Sequence, residues 1–166
     1  MSAASSERLT ERLQEGLRDA LATVVASVRG VSEEEARQIP EPDEWTVAQL
    51  LAHIAEIQGF WMEKAVLITK ENDPQITRTA VENDLRIAAV EDHSQGSVAE
   101  LLARVSAANE KAIATTARID PKDLDRPGHR EENPMTAAGV IEYIAGHVKL
   151  HAGQIIESRR VIRENG

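Results

Sequence analysis

Two histidines, His147 and His151, stand four residues apart in Ala145-Gly146-His147-Val148-Lys149-Leu150-His151-Ala152-Gly153-Gln154-Ile155. On a helix that spacing stacks them one turn apart on a single face, where both imidazoles can reach one metal ion. A third imidazole, His53, sits in the apolar-periodic run Val47-Ala48-Gln49-Leu50-Leu51-Ala52-His53-Ile54-Ala55-Glu56. Imidazoles on a buried helix face are costly to desolvate without a common purpose. The pair and its distant third therefore point to a divalent metal held inside a helical bundle by His53, His147 and His151. His93 and His129 fall in polar segments, Glu91-Asp92-His93-Ser94 and Gly128-His129-Arg130-Glu131, and read as solvated loop residues.

Spacing rejects two familiar schemes. A zinc metalloprotease needs His-Glu-x-x-His, but the sequence here is His147-Val148-Lys149-Leu150-His151, without the base. A ferritin-like di-iron bundle needs Glu-x-x-His, and no histidine has a glutamate three residues before it. One mononuclear site with neutral ligands is left. Three neutral imidazoles leave the ion its full charge and an open coordination position, which is the catalytic pattern. Such an ion can bring the pKa of water toward about 7 or hold a thiol as thiolate. Helical spacing sets Glu56 three residues after His53, Gln49 four before it, Tyr143 four before His147 and Gln154 three after His151. Glu56 and Gln154 are candidates to orient a ligand imidazole, and Tyr143 to donate a proton; Tyr143 and Glu56 are the candidate catalytic residues.

The elements that must position these groups are helices. Ser5 or Ser6 can cap a first helix through Leu9, Leu13, Leu17, Val24 and Val28, which stops at Gly30. Ser32-Glu33-Glu34-Glu35 opens a short connector helix that Pro40 and Pro42 end. Thr46 caps a second long helix whose stripe is Leu50, Leu51, Ile54, Ile57, Trp61, Ala65 and Ile68, ended by Asn72-Asp73-Pro74. Residues 71–96 read as irregular, with one short helix around Ala80 to Val90. Ser97 and Glu100 box the start of a third long helix, which ends near Ile119-Asp120-Pro121. Asp120 to Pro134 reads as a loop, and Thr136 caps a fourth helix carrying Ile141, Ile144, Val148, His151, Ile155 and Ile162. The second long helix is about 35 Å long. A connection as long as 71–96 is what a third helix needs to return and run parallel to it.

Composition narrows the rest. The 166 residues suit one domain, 1–166, and the four aromatics, Trp45, Phe60, Trp61 and Tyr143, against abundant Ala, Leu, Glu and Arg favour an all-α fold; no alternating strand run is visible. With 28 acidic against 19 basic residues and a net charge of −9, the surface repels phosphate backbones. The one basic cluster, Arg159, Arg160 and Arg163, lies in the last turns of the final helix, where cations favour the dipole. The chain has no cysteine, which excludes disulfides, thiolate ligands and a cysteine nucleophile. The N-terminus lacks the apolar core of a signal peptide and no segment approaches the roughly 20 apolar residues of a membrane span. The expected location is the cytoplasm.

The stretches Glu44-Trp45-Thr46-Val47-Ala48-Gln49-Leu50-Leu51-Ala52-His53-Ile54 and His147-Val148-Lys149-Leu150-His151-Ala152-Gly153-Gln154-Ile155 resemble the DinB-like superfamily, the DinB/YfiT-like metalloenzymes. The likeness covers nearly the whole chain in helix order and loop length. It implies a four-helix bundle of up-down-down-up topology with a long crossover between helices two and three, commonly a homodimer. It also implies zinc, nickel or another divalent ion bound by one histidine of helix two and two of helix four, roles that fall on His53, His147 and His151. Characterised relatives include transferases and isomerases that use low-molecular-weight thiols such as bacillithiol, mycothiol or glutathione. The mycothiol-dependent maleylpyruvate isomerases carry a further C-terminal domain that contributes to the active site, whereas this sequence ends at Gly166, so that particular reaction does not carry over. The leading expectation is a thiol-dependent transferase acting on a small molecule, with a low-molecular-weight thiol as cosubstrate and neither nucleic acid nor membrane as partner. The alternatives are a metal-dependent hydrolase that activates water, a non-enzymatic stress-response or binding module, and a plain structural bundle.

Overall fold

The computed structural model describes residues 3–165, with side chains from residue 7 onward. The described chain is mostly helical. It runs α1 (Ala3–Ser27), α2 (Glu33–Arg37), α3 (Val47–Lys70), α4 (Ala80–His93), α5 (Val98–Arg118), a 3-10 turn (Pro121–Asp123), β1 (Pro127–Arg130), β2 (Asn133–Thr136) and α6 (Ala137–Asn165).

Local chemistry sets most of these boundaries. Thr46 with Gln49, Thr79 with Glu82 and Ser97 with Glu100 form reciprocal capping boxes that open α3, α4 and α5. The Ser32 side chain accepts the Glu35 N–H to start α2. Thr136 Oγ1 accepts the Gly139 N–H at 3.0 Å in the first turn of α6. Gly30, with φ +70°, turns the chain after α1. Helix α1 begins at Ala3, so Ser5 and Ser6 lie inside it and not ahead of it.

The apolar stripes then meet. Leu13, Leu17, Ala20 and Val24 of α1, Leu51, Ile54, Ile57 and Ile68 of α3, Leu101, Val105 and Ala112 of α5, and Ile141, Ile144, Val148 and Ile155 of α6 are buried in one core. These four long helices make a helical bundle, in which α3 and α1 each lie against both α5 and α6. Polar contacts record the alignment. Gln58 of α3 donates to the Val105 carbonyl, Gln14 of α1 to that of Ile113, and Asn109 of α5 to that of Leu17. Arg159 of α6 donates to the carbonyls of Ser27 and Arg29 at 2.7 and 3.1 Å and pairs with Glu35 at 2.8 Å. Arg159 thus pairs with carbonyls at the C-terminal end of α1, a more specific task than complementing its own dipole.

Two regions differ from the reading of the sequence. The segment 120–134 reads as a loop in a chain with no strand, whereas residues 127–136 form an antiparallel hairpin in which Pro127 pairs with Thr136 and Arg130 with Asn133. Strands of four residues containing two prolines show no alternation to detect, and the turn depends on Glu131 adopting φ +55°. Gly128 lets this hairpin approach α3, since a Cβ there would lie 2.7 Å from Ile68 Cγ1. The second difference is in the crossover. Helix α4 continues through His93, which therefore ends a helix and is not a loop residue. The crossover also joins the hairpin: the Ile76 N–H donates to the His129 carbonyl at 2.7 Å, and the His129 N–H to that of Pro74 at 2.9 Å. His129 itself pairs with Asp73 at 2.7 Å. Lys64 of α3 and Glu82 of α4, 2.7 Å apart, tie the crossover helix down. Among the described residues no helix is long and apolar enough to cross a membrane.

Candidate metal centre

His53 occupies the buried face of α3 because its neighbours at helical spacing, Leu50, Ile54 and Ile57, are themselves core residues. His151 lies in the α6 stripe between Val148 and Ile155, and His147 stands one turn earlier on its flank. His53 and His151 are buried and His147 is partly exposed. The three rings converge. Their centroids are 4.7 Å apart for His53 and His151, 4.6 Å for His147 and His151, and 6.2 Å for His53 and His147. One nitrogen from each lies within 4.8 Å of the other two. That spacing makes them a group that could hold one metal ion.

Burial, with His151 and the Arg86 guanidinium close by, pushes the His53 pKa down to about 3. Burial and His151, then Arg130, lower that of His147 to about 4. Burial also lowers that of His151, against a hydrogen bond to Gln154 that opposes it. All three are neutral bases at pH 7, with lone pairs and no proton to displace.

The hydrogen bonds around the rings select the ligating atoms. His151 Nδ1 lies 2.7 Å from Gln154 Oε1, an acceptor, so Nδ1 carries the proton and Nε2 is left with its lone pair. That buried Nε2 has no hydrogen-bond partner among the described residues. His53 Nδ1 faces Glu56 Oε2 at 3.7 Å, both atoms buried and unpartnered; a proton on Nδ1 would suit that carboxylate and turn Nε2 toward the other rings. Orphaned buried polar atoms cost about 1–3 kcal/mol each. A divalent cation among the rings is a physical reason for the unpartnered Nε2 of His151, and the donor set of three neutral imidazoles fits one.

The remaining candidates fall around this point. Tyr143 stands beside His147, with ring centroids 5.1 Å apart, and packs on Trp61 at 5.2 Å. Glu56 is held by Arg78 at 2.7 Å and faces the outer nitrogen of His53, a position for orienting a ring more than for taking a substrate proton. Gln49 belongs to the α3 capping box and not to the site. Two openings meet at the rings. One, of about 440 Å³, includes Trp45, Gln154 and Glu157; the other, of about 300 Å³, includes Trp61, Tyr143 and Arg130. Arg86 and His53 border both. Reading the sequence missed Arg78, Arg86 and Arg130. The first two come from the crossover and the third from the hairpin, segments whose positions have no periodic signal.

The family model of the DinB superfamily matches residues 9–155. No curated protein matches the sequence. Among solved structures, YfiT from Bacillus subtilis, described as a probable metal-dependent hydrolase with an unusual four-helix bundle topology, superposes with a TM-score of 0.73 at 17% identity, over 96% of this chain and 89% of that one. A protein from Streptococcus pneumoniae superposes with a TM-score of 0.70 at 12% identity, over 93% and 90%. At such identities the likeness concerns the fold.

Proposed function

The chain belongs to the DinB superfamily, and from that premise we propose that it is a metal-dependent hydrolase of small molecules, with His53, His147 and His151 as ligands of one divalent ion, zinc or nickel. The observation that carries the reading is the buried, unpartnered Nε2 of His151, whose other nitrogen is committed to Gln154. The description of YfiT as a probable metal-dependent hydrolase lends it support. A divalent ion bound there would supply a Lewis acid and bring water toward a pKa of about 7. The chain's own residues do the rest. Gln154 fixes the tautomer of His151, and Glu56, anchored by Arg78, is the positioning residue for His53. Tyr143, on the cavity wall beside His147, is the proposed donor of a proton to the departing group.

Thiol-dependent transfer gains no support from these relatives, so hydrolysis takes precedence. Protein purified without a nickel column should hold about one divalent ion per chain by elemental analysis, and should hydrolyse members of an ester, amide and phosphoester panel without added thiol, at rates abolished by chelator. An ion-free chain that binds no added zinc or nickel would overturn the metal reading. Turnover that requires an added thiol would select transfer instead.

We also infer the up-down-down-up order for the long helices. It is supported by Gly16 facing Ala145 and Ser27 meeting Arg159 along α1 and α6, and by His53 near His151 while Trp61 meets Tyr143 along α3 and α6. The working protein is proposed to be a cytoplasmic homodimer, which sedimentation analysis tests.

A further inference from the structure

The smaller opening, onto His53 and His147 of the triad, has a charge pattern unlike the rest of the chain. The sequence carries 28 acids against 19 bases, yet this opening brings Arg78, Arg86 and Arg130 to its walls against one acid, Glu131. The three arginines are not equivalent. Arg78 donates to Glu56 Oε1 at 2.7 Å and to the Glu82 carbonyl at 3.2 Å, and lies 3.6 Å from the centroid of the Phe60 ring, so its charge is already matched. Arg86 donates only to Asn83 Oδ1 in its own helix and meets no carboxylate among the described residues. Arg130 makes no side-chain hydrogen bond or ion pair to any described residue; its guanidinium lies 5.1 Å from the ring centroids of both Trp61 and Tyr143.

Aromatic contact fixes a guanidinium while leaving N–H donors at its edge, and such donors match the paired oxygens of a carboxylate or phosphate. Arg86 is held in a similar way, by Asn83 and by Trp45 at 5.8 Å. A divalent ion on three neutral imidazoles would add to this positive charge and not cancel it. Arg86 and Arg130 on this wall thus pair with no carboxylate among the described residues.

We infer that the opening takes an anionic substrate, whose carboxylate or phosphate group is held by Arg86 and Arg130 beside the histidine triad. The inference deepens the hydrolase reading and rests on it for what happens to that substrate once bound. The group need not be the one that reacts. Held by the two arginines, it serves as a handle that presents a neighbouring bond to the triad.

Titration calorimetry of the full chain with inorganic phosphate and, separately, acetate tests this, on zinc-loaded and metal-free protein. At least one anion should bind both forms saturably, and the tighter of the two identifies the group. Arg86→Gln with Arg130→Gln, which keeps much of each side-chain stem, should weaken binding about tenfold or more. Arg86→Lys with Arg130→Lys should recover part of the loss, which a purely packing role would not. Zinc content, measured on the same samples, should not change with the arginines. Equal affinity in wild type and the glutamine pair, or no binding of either anion, overturns the inference. Arginine-dependent anion binding by a chain that takes up no zinc supports the inference and overturns the metal reading, so the two fail separately.

Discussion

Gln58 and His53 lie a little over one turn apart on α3, both buried, yet their polar atoms meet opposite fates. Gln58 Nε2 donates to the Val105 carbonyl at 3.2 Å and its Oε1 accepts from Asn109 at 3.0 Å, while the same Asn109 amide reaches the Leu17 carbonyl at 2.9 Å. Three helices are laced together, with Asn109 Oδ1 the one atom left over. Around His53 the converse holds: His53 Nδ1 and Glu56 Oε2 only face each other at 3.7 Å, and the buried His151 Nε2 has no hydrogen-bond partner among the described residues. A core that ties one amide pair to three helices, and leaves an inward-facing ring nitrogen of the next cluster with nothing to accept, has treated the two differently. The first cluster contributes to the fold alone. The second retains capacity for something not made of protein.

The largest expected contrast comes from the ligands. His53→Ala or His151→Ala should lower zinc affinity on the order of a thousandfold, taking the content of purified protein from about one ion per chain to nearly none, whereas Gln58→Leu should leave it unchanged. Elemental analysis and competition with a chromogenic chelator read both. The converse variant, Asn109→Ala, should cost about 2–4 kcal/mol in denaturant unfolding by leaving a cavity and stranding Gln58 Oε1, with metal content intact. If Asn109→Ala removed the metal, the division between the two clusters would be lost.

A smaller effect sharpens the role of the surrounding residues. Glu56→Gln keeps the size of the side chain but removes the charge facing His53 Nδ1, and should weaken zinc binding about tenfold. The smallest effect is on stability against pH in the metal-free protein. The three histidines have folded pKa values below the ordinary 6.5, with His53 at about 3 and His147 at about 4, so the unfolded chain binds more protons. Their contribution is fully favourable above about pH 6.5 and declines as pH falls toward 4 and then 3, by up to about 1.4 kcal/mol per pH unit for each histidine. Unfolding at pH 7, 6 and 5 should show this slope, flattened in His53→Gln. The Gln58 and Asn109 pair does not titrate and adds nothing to it.

How much of this was legible beforehand depends on the range of each signal. His147 and His151 announce themselves because helical spacing is local, and the caps at Thr46, Ser97 and Thr136 and the turn at Gly30 are equally local. His53 could be joined to them because its own segment is periodic. Arg78, Arg86 and Arg130 could not, because their place depends on how the crossover folds back over α3 and on a hairpin too short to alternate. The Gln58 and Asn109 pair was overlooked for the same reason: neither residue signals its partner, and the bond between them spans different helices. Sequence periodicity finds what lies along one helix, while contacts across the bundle are left to packing.

The backbone bridge between Ile76 and His129 joins two segments far apart in the chain. Because Pro74, Ile76 and His129 share two hydrogen bonds, the start of the crossover and the first hairpin strand form one seam, with Arg78 just beyond one side and Arg130 at the end of the other. Two cations at the mouth, separated by some fifty residues of sequence, are thus set in place by a single pair of main-chain contacts.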